Sequence, residues 1–316
     1  MTLVIVRGSF SKLKEYLESR GYMFESRPHQ AFLARGNGVV VNLYDNGKVV
    51  MSGASLDEQR EVEKFLQQTQ EFDLLTGTPK KELLNIHGTR IGSDEAGKGD
   101  YYGPLVACAV MATEEQTLKF EAIGVKDSKK LSNNSIMDKA DLIRNKILNS
   151  GQWKVVLISP EKYNILLLNM GNLNKVLAWA HARAIEDVLK FELECTLAIS
   201  DQFGDKKYIE DALMAKGKGI KLIQTPHGER DLVVAAASIL ARAEFLNYVE
   251  GMRKKYKENF PLGATNVEPF GKKLVSSYGE EILLKTAKIH FVTTSRILET
   301  KEQLNKLIRE QEKLKR

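Results

Sequence analysis

Ile91-Gly-Ser-Asp-Glu-Ala-Gly-Lys-Gly-Asp-Tyr-Tyr-Gly-Pro-Leu105 is the stretch on which the reading of this chain turns. Asp94 and Glu95 stand side by side, and Gly97 and Gly99 flank Lys98. Adjacent side chains on a strand point to opposite faces, so the two carboxylates can share one site only at a strand end or a bulge, and Gly92, Gly97 and Gly99 permit such a departure. An acidic pair repels itself unless a cation or a basic group relieves it, so the pair is taken as a cation site rather than a plain turn. Gly92 to Lys98 also fits GxxxxGK, the beginning of a phosphate loop. That reading fails on three counts. Gly99 stands where Ser or Thr would hold Mg²⁺, Asp94 and Glu95 would oppose the phosphates, and Tyr101-Tyr-Gly-Pro104 does not open a helix. A P-loop-like NTPase is therefore set aside.

Outward from this stretch the pattern is α/β. Residues 103–111, 155–158 and 195–200 are apolar strand candidates with helical segments between and after them, and the sheet they form is expected to be mixed. Residues 172–189 have the spacing of a buried amphipathic helix. Residues 233–248 form another, Ala-rich at its start, where close packing on a sheet wants small side chains. Residues 297–316 read as one charged amphipathic C-terminal helix. Further acids punctuate this region: Asp201 ends the apolar run Leu197-Ala-Ile-Ser-Asp201, Asp205 follows it, and Glu229 precedes Leu232-Val-Val-Ala-Ala-Ala-Ser238. Taken singly, each is as well read as a turn residue or helix cap. Together, convergent carboxylates without His or Cys suit a hard divalent cation working on a phosphodiester.

The first 72 residues read as a separate α+β unit. A helix spans 11–20 with Leu13, Tyr16 and Leu17 on one face and Gly21 as its stop. Strands follow at 31–35, 39–44 and 48–51, the last two joined by an Asn46-Gly47 hairpin turn. Ser55 and Glu58 resemble a capping box opening a second helix to about residue 70. The polar stretch 73–88, with Gly77 and Pro79, is the expected linker to a domain over 89–316.

Bulk composition narrows the classes. A chain of 316 residues that is 43% hydrophobic and 28% charged is an ordinary folded protein of about two domains, which excludes disordered and fibrous classes. A net charge of +6 and a pI near 9.0 point mildly to nucleic acid, or only to a soluble surface. Cys108 and Cys195 belong to no CxxC, so neither a disulfide scaffold nor structural zinc is expected. No apolar run, 232–240 included, reaches the ~20 residues of a membrane span. Residues 1–7 are too short for a signal peptide and lack a cleavage site, so a cytoplasmic protein is expected.

The string Gly92-Ser-Asp-Glu-Ala-Gly-Lys-Gly-Asp100, with Tyr102-Gly-Pro-Leu105 behind it, resembles the signature of the type 2 ribonucleases H. Gly97-Lys-Gly99 is similar to the HIII branch rather than HII, where Arg is usual. Val125-Lys-Asp-Ser-Lys-Lys-Leu131, the 174–181 helix with its Trp and His, Ile199-Ser-Asp-Gln-Phe203 and Val234-Ala-Ala-Ala-Ser-Ile239 resemble further family segments, in the right order. The resemblance implies an RNase H-like mixed-sheet catalytic domain with a small N-terminal TATA-box-binding-protein-like domain. It implies an endonuclease that cuts the RNA strand of RNA/DNA hybrids, leaving 5′-phosphate and 3′-hydroxyl ends, with Mg²⁺ or Mn²⁺. Asp94, Glu95 and Asp201 match the metal-binding carboxylates, and Glu229 the fourth catalytic acid, with Asp205 as its rival. Backbone groups of Gly97, Lys98 and Gly99 would read the 2′-hydroxyl, the group that distinguishes RNA from DNA. Lys129 and Lys130 are either phosphate contacts or solvated surface; Tyr101 and Tyr102 face either nucleic acid or core; Trp179 and His181 are read as core packing. The first domain would meet the hybrid through Lys48, Arg27 and Arg35. A monomer without a small-molecule cofactor or membrane partner is expected, and the alternative is a noncatalytic nucleic-acid-binding protein.

Overall fold

The computed structural model describes residues 2–4, 10–26, 30–45, 48–68, 88–191, 194–214 and 216–313, and the chain divides into two units, Met1–Glu82 and Leu83–Arg316. The Asn46-Gly47 turn, Arg27 and all of the linker except Gly88 lie outside the described residues.

In the first unit, helix α1 (Phe10–Ser19) buries Leu13 and Leu17, one turn apart, and Gly21 at φ +79° stops it. Five strands, β1 (Thr2–Val4), β2 (Met23–Glu25), β3 (Gln30–Gly36), β4 (Val39–Tyr44) and β5 (Lys48–Gly53), form an antiparallel sheet in the order β1-β5-β4-β3-β2. Helix α2 (Leu56–Gln68) closes the unit. Val39, Val41, Leu43 and Val49 alternate onto one face, where they meet Leu13 and Leu17 of α1 and Val62 and Leu66 of α2. Arg35, Val40, Asn42 and Val50 share the other face. Half of the expected capping box is present, the Glu58 N–H donating to Ser55 Oγ at 3.3 Å. The Glu58 carboxylate instead accepts from Arg20 Nη2 at 2.6 Å, Tyr22 Oη at 3.1 Å and Asn37 Nδ2 at 3.2 Å. The Arg20 hydrogen bond, ahead of the others, holds that carboxyl below its usual range.

The second unit is built on a mixed sheet. Strands β6 (Arg90–Ala96), β7 (Leu105–Ala112) and β8 (Trp153–Ile158) form an antiparallel meander. On the other side of β6 lie β9 (Leu197–Asp201) and β10 (Lys221–Thr225), both parallel to it, giving the order β10-β9-β6-β7-β8. All eight residues of β7 are buried because both faces are covered. Helices α3 (Glu114–Ala122), α4 (Asn133–Leu142) and α8 (Leu232–Tyr256) lie on the face of Val106, Cys108 and Val110. Helices α5 (Pro160–Met170), α6 (Leu173–Val188) and α7 (Lys207–Ala212) lie on the face of Leu105, Ala107 and Ala109. Then come α9 (Glu268–Tyr278), α10 (Ile282–Thr286), α11 (Val292–Leu298) and α12 (Lys301–Lys313).

Helix α8 organises the unit. Asp231 caps it, accepting from Val233 N at 2.8 Å, and its other oxygen takes a 2.7 Å bond from Arg90 Nε in a buried ion pair. A Cβ at Gly92 would stand 2.3 Å from Val234 N, so only glycine lets β6 approach the helix this closely. At 25 residues, with mean hydropathy 1.5 in its most apolar window, α8 is long and apolar enough to cross a membrane; 67% of that window is buried inside this unit, as in the core helix of a folded domain. It also runs past the expected end at 248, because Val249 and Met252 continue the buried apolar face at helical spacing while Glu250, Lys254 and Lys255 occupy the exposed side. The single C-terminal helix expected over 297–316 is instead two: Glu299 takes φ +61°, and Thr300 Oγ1 accepts from Gln303 N to start α12.

Candidate active site at the carboxyl ends of the central strands

Strands β6 and β9 pair up to Ser93 and Ser200, so Asp94 and Asp201 are the next residues along two neighbouring parallel strands. The β6–β7 ladder runs without a register shift through Asp94↔Cys108 and Glu95↔Ala107. The acidic pair therefore sits at a strand end, not a bulge, and its members point to opposite faces. Asp94 faces α8. Its Oδ1 accepts the Glu95 N–H at 2.8 Å and its carboxylate also hydrogen-bonds Ser238. Burial, with the Glu95 and Asp201 charges, pushes the Asp94 pKa well above the usual carboxylate range. Glu95 faces α6, where Oε2 meets His181 Nε2 at 3.2 Å and Oε1 meets Lys98 Nζ at 3.4 Å. Burial works against the Glu95 charge, but the His181 bond and the His181 and Lys98 charges outweigh it and bring its pKa down to about 2.

Asp201 Oδ1 accepts the Gly228 N–H at 2.9 Å, and a Cβ on Gly228 would lie 2.8 Å from Asp201 N. That close approach ties the strand end to the 3₁₀ turn Gly228–Arg230, which carries Glu229. His227, at φ +59°, precedes the turn and lies 3.5 Å from Glu229 Oε1. Lys129 joins the set: partial desolvation disfavours its ammonium, but Asp94, Asp127, Glu229 and Asp201 together hold its pKa above the usual lysine value. The charges of Asp94, Asp201 and Glu229 thus all act on Lys129, although among the described residues no three acids close on a single point as a ready metal cluster. Asp205 is employed elsewhere, its Oδ1 accepting from Lys207 N at 2.9 Å at the start of α7.

The cleft above these strand ends has a volume of about 820 Å³ and is lined by Asp94, Glu95, Asp201, Lys129, Arg242 and the 97–100 turn, among others. Gly97 takes φ +85°, and a Cβ there would lie 2.2 Å from Pro104 O, so the fold itself demands glycine. Gly99 differs: among the described residues, nothing beyond its chain neighbours lies within 4 Å of where its Cβ would be. Lys130 is exposed, whereas Tyr101 and Tyr102 are fully buried and belong to the core. A more apolar groove of about 520 Å³ between α5, α11 and α12 shares none of these residues.

Two sequence expectations change here. Trp179 is 39% exposed rather than core. His181 is fully buried as expected, yet it is not mere packing, since Nδ1 bonds Ser93 Oγ at 3.0 Å while Nε2 holds Glu95. A histidine on the otherwise apolar Leu177–Ala178–Ala182–Ile185 face was the available signal, because a buried imidazole needs partners and β6 offers Ser93 and Glu95 two residues apart. Ser128, which no local sequence pattern marks, bonds Ser238 through its hydroxyl at 2.8 Å and anchors the segment that carries Lys129.

A mixed sheet with an acidic cleft at the carboxyl ends of its parallel strands, covered by helices on both faces, defines an RNase H-like nuclease. The sequence pattern of the family described as Ribonuclease HII matches residues 91–294. A Ribonuclease HIII of Chlamydia pneumoniae is 37% identical over 290 residues, covering 91% of this chain and 94% of that protein. One from Protochlamydia amoebophila is 36% identical, covering 91% of this chain and 93% of that protein. Among solved structures, Bst-RNase HIII in complex with Mn²⁺ aligns over 98% of this chain and 100% of that one, with a TM-score of 0.63 and 26% identity. The chain belongs to the type 2 ribonuclease H family, in which its curated relatives are ribonucleases HIII, and it is a ribonuclease H.

Proposed function

We propose that the chain hydrolyses the RNA strand of RNA/DNA hybrids in the cleft over β6 and β9, leaving 5′-phosphate and 3′-hydroxyl ends. The observation that carries this reading is the cleft in which Asp94, Glu95, Asp201 and Lys129 stand beside an open glycine turn. The donor set is all oxygen and includes a buried carboxylate whose charge is not balanced, which fits a hard divalent ion, Mg²⁺ or Mn²⁺. Asp94, Glu95 and Asp201 would hold that metal, with Glu229 as the fourth catalytic acid; the engagement of the Asp205 carboxylate by the Lys207 N–H favours Glu229 over it. Two-metal chemistry is what such a carboxylate set would support, one bound ion supplying a readied water for attack and the other stabilisation of the leaving 3′-oxygen. The protein's own groups do the rest. His181 and Lys98 keep Glu95 ionised and oriented, Ser238 and the Glu95 amide fix Asp94, and Lys129 stands where a phosphate would enter. Gly97, Lys98 and Gly99 present backbone to the ribose 2′-hydroxyl, and the open space at Gly99 supports that role.

The first unit serves as a hybrid-binding domain, joined through the 73–88 linker to the catalytic unit over 89–316, with Lys48, Arg35 and Arg27 as backbone contacts. Two weak sites on one chain raise affinity through effective concentration. We further propose a cytoplasmic monomer. The deciding experiment incubates end-labelled RNA/DNA hybrid with the full chain in Mg²⁺, Mn²⁺ or EDTA beside Asp94→Asn. Metal-dependent cutting of the RNA strand that the substitution abolishes is the expected outcome. Hybrid binding without cutting would leave a noncatalytic binding protein.

A further inference from the structure

Lys288 is fully buried, and its ammonium donates to two backbone carbonyls, Asp100 O and Gly103 O, each at 2.8 Å. Both carbonyls belong to the segment that directly follows the Gly97–Gly99 turn. Backbone bonds reinforce the attachment: Lys288 N donates to Tyr101 O at 2.9 Å, Gly103 N donates to Thr286 O at 3.0 Å, and Tyr102 bridges Ala287. The Asp100 side chain holds the same segment from another side, accepting from Gly263 N at 2.7 Å and Arg242 Nη1 at 3.2 Å. Behind Lys288, Asn164 donates to Leu284 O and Ala287 O and accepts from Ile289 N, while Gln311 of α12 donates to Asn164 O.

Burying an ammonium is costly, and Leu or Met would fill the space without that cost. Desolvation duly brings the Lys288 pKa down to about 7, with the Asp100 charge opposing it. Charged or neutral, the side chain keeps at least two N–H donors, enough for two carbonyls that would otherwise be buried without partners. The placement of those carbonyls is therefore what the lysine secures.

We propose that Lys288 is the positioning residue of the Gly97–Gly99 turn, fixing the backbone that leaves it and so setting how strongly the cleft prefers a ribose-containing strand. This rests on the reading of that turn as the ribose-facing element. Lys288 is not itself part of the cleft lining and bonds none of Asp94, Glu95, Asp201 or Glu229, so it acts through Asp100–Gly103, of which Asp100 lines the cleft, and not on the reacting atoms.

The test compares wild type, Lys288→Met, which fills the volume without donating, and Lys288→Arg, which keeps a donor. For the Met variant, KM for hybrid rises by about tenfold, the loss expected from breaking buried hydrogen bonds, while kcat changes less than about threefold. In an Asp94→Asn background, where no strand is cut, the ratio of hybrid to DNA-duplex affinity falls by about tenfold, and Lys288→Arg recovers part of both losses. A kcat loss at unchanged KM, an equal weakening toward both duplexes, or no change at all overturns the proposal. Should Lys288→Met fail to fold, hydrogen exchange on the Asp94→Asn protein decides. Hybrid, but not DNA duplex, then slows exchange in 97–103 and 284–289 together, and slowing confined to 97–103 overturns the proposal. Absence of cutting by wild type is a failure of the nuclease reading instead, and the affinity ratio is measured independently of it.

Discussion

Asp94 and Glu95 are covalent neighbours, yet the two faces of the sheet treat them in opposite ways. On the α6 face Glu95 finds a complete set of local partners, His181 and Lys98, and its pKa falls to about 2. On the α8 face Asp94 meets an Ala-rich helix and a serine, with further acids close by, and its pKa rises. The difference teaches where the demand for a cation lies. Glu95 brings basic partners of its own to the cleft, whereas Asp94 and Asp201 share the influence of one ammonium, Lys129.

Removing the unbalanced charge breaks the contrast most severely. Asp94→Asn should lower hybrid cleavage by roughly a thousandfold, since several kcal/mol of transition-state stabilisation are lost. The same variant should be more thermally stable at neutral pH. With a native pKa above its unfolded value of 3.8, Asp94 takes up protons on folding and its ionised form opposes the fold, so stability falls as pH rises through the native pKa. Calorimetry at pH 5 and 8 would show a gain over wild type that is larger at pH 8, and added Mn²⁺ should raise the wild-type Tm more than the variant's. Next, Gly92→Ala drives a Cβ into Val234 N and pushes α8 off β6; a loss of about 1–3 kcal/mol in chemical denaturation is expected. His181→Phe attacks the other face. Losing the bond that holds and orients the Glu95 carboxylate should reduce kcat by about tenfold, in line with loss of a partner that orients a metal ligand. The smallest effect belongs to Lys98→Ala: its 3.4 Å pair with Glu95 is partly exposed, and kcat should change by no more than about threefold.

The parts of this architecture that repeat or alternate were legible in advance. Strands over 155–158 and 195–200 and the helix over 172–189 were marked by apolar runs and periodicity, and the structure has β8, β9 and α6 there. Strands β1 and β2, of three residues each, are too short for any period to register, and pairing alone defines them. The acids could be named from motif and resemblance. Their supports could not, because Ser128 reaches Ser238 and Ser93 reaches His181 across 110 and 88 residues of chain, and no local pattern encodes a contact at that separation. Trp179 failed for a related reason: on α6 it sits between Lys175 and Arg183 on the solvent side, and an aromatic's preference for the interior yields to the helical register of its neighbours.

The ion pair between Arg90 and Asp231 has a kinetic meaning. It ties the first residue of the strand bearing Asp94 to the cap of a helix 141 positions downstream, and β6 pairs with β9 at a separation of more than a hundred. Contacts this distant in sequence carry a large loop-closure cost and form late in folding. During synthesis, the first unit and the β6–β8 meander can order themselves while the chain is still growing. The acids come together only after α8 has left the ribosome, so an interrupted chain carries Asp94 and Glu95 in a strand that has no cleft to serve.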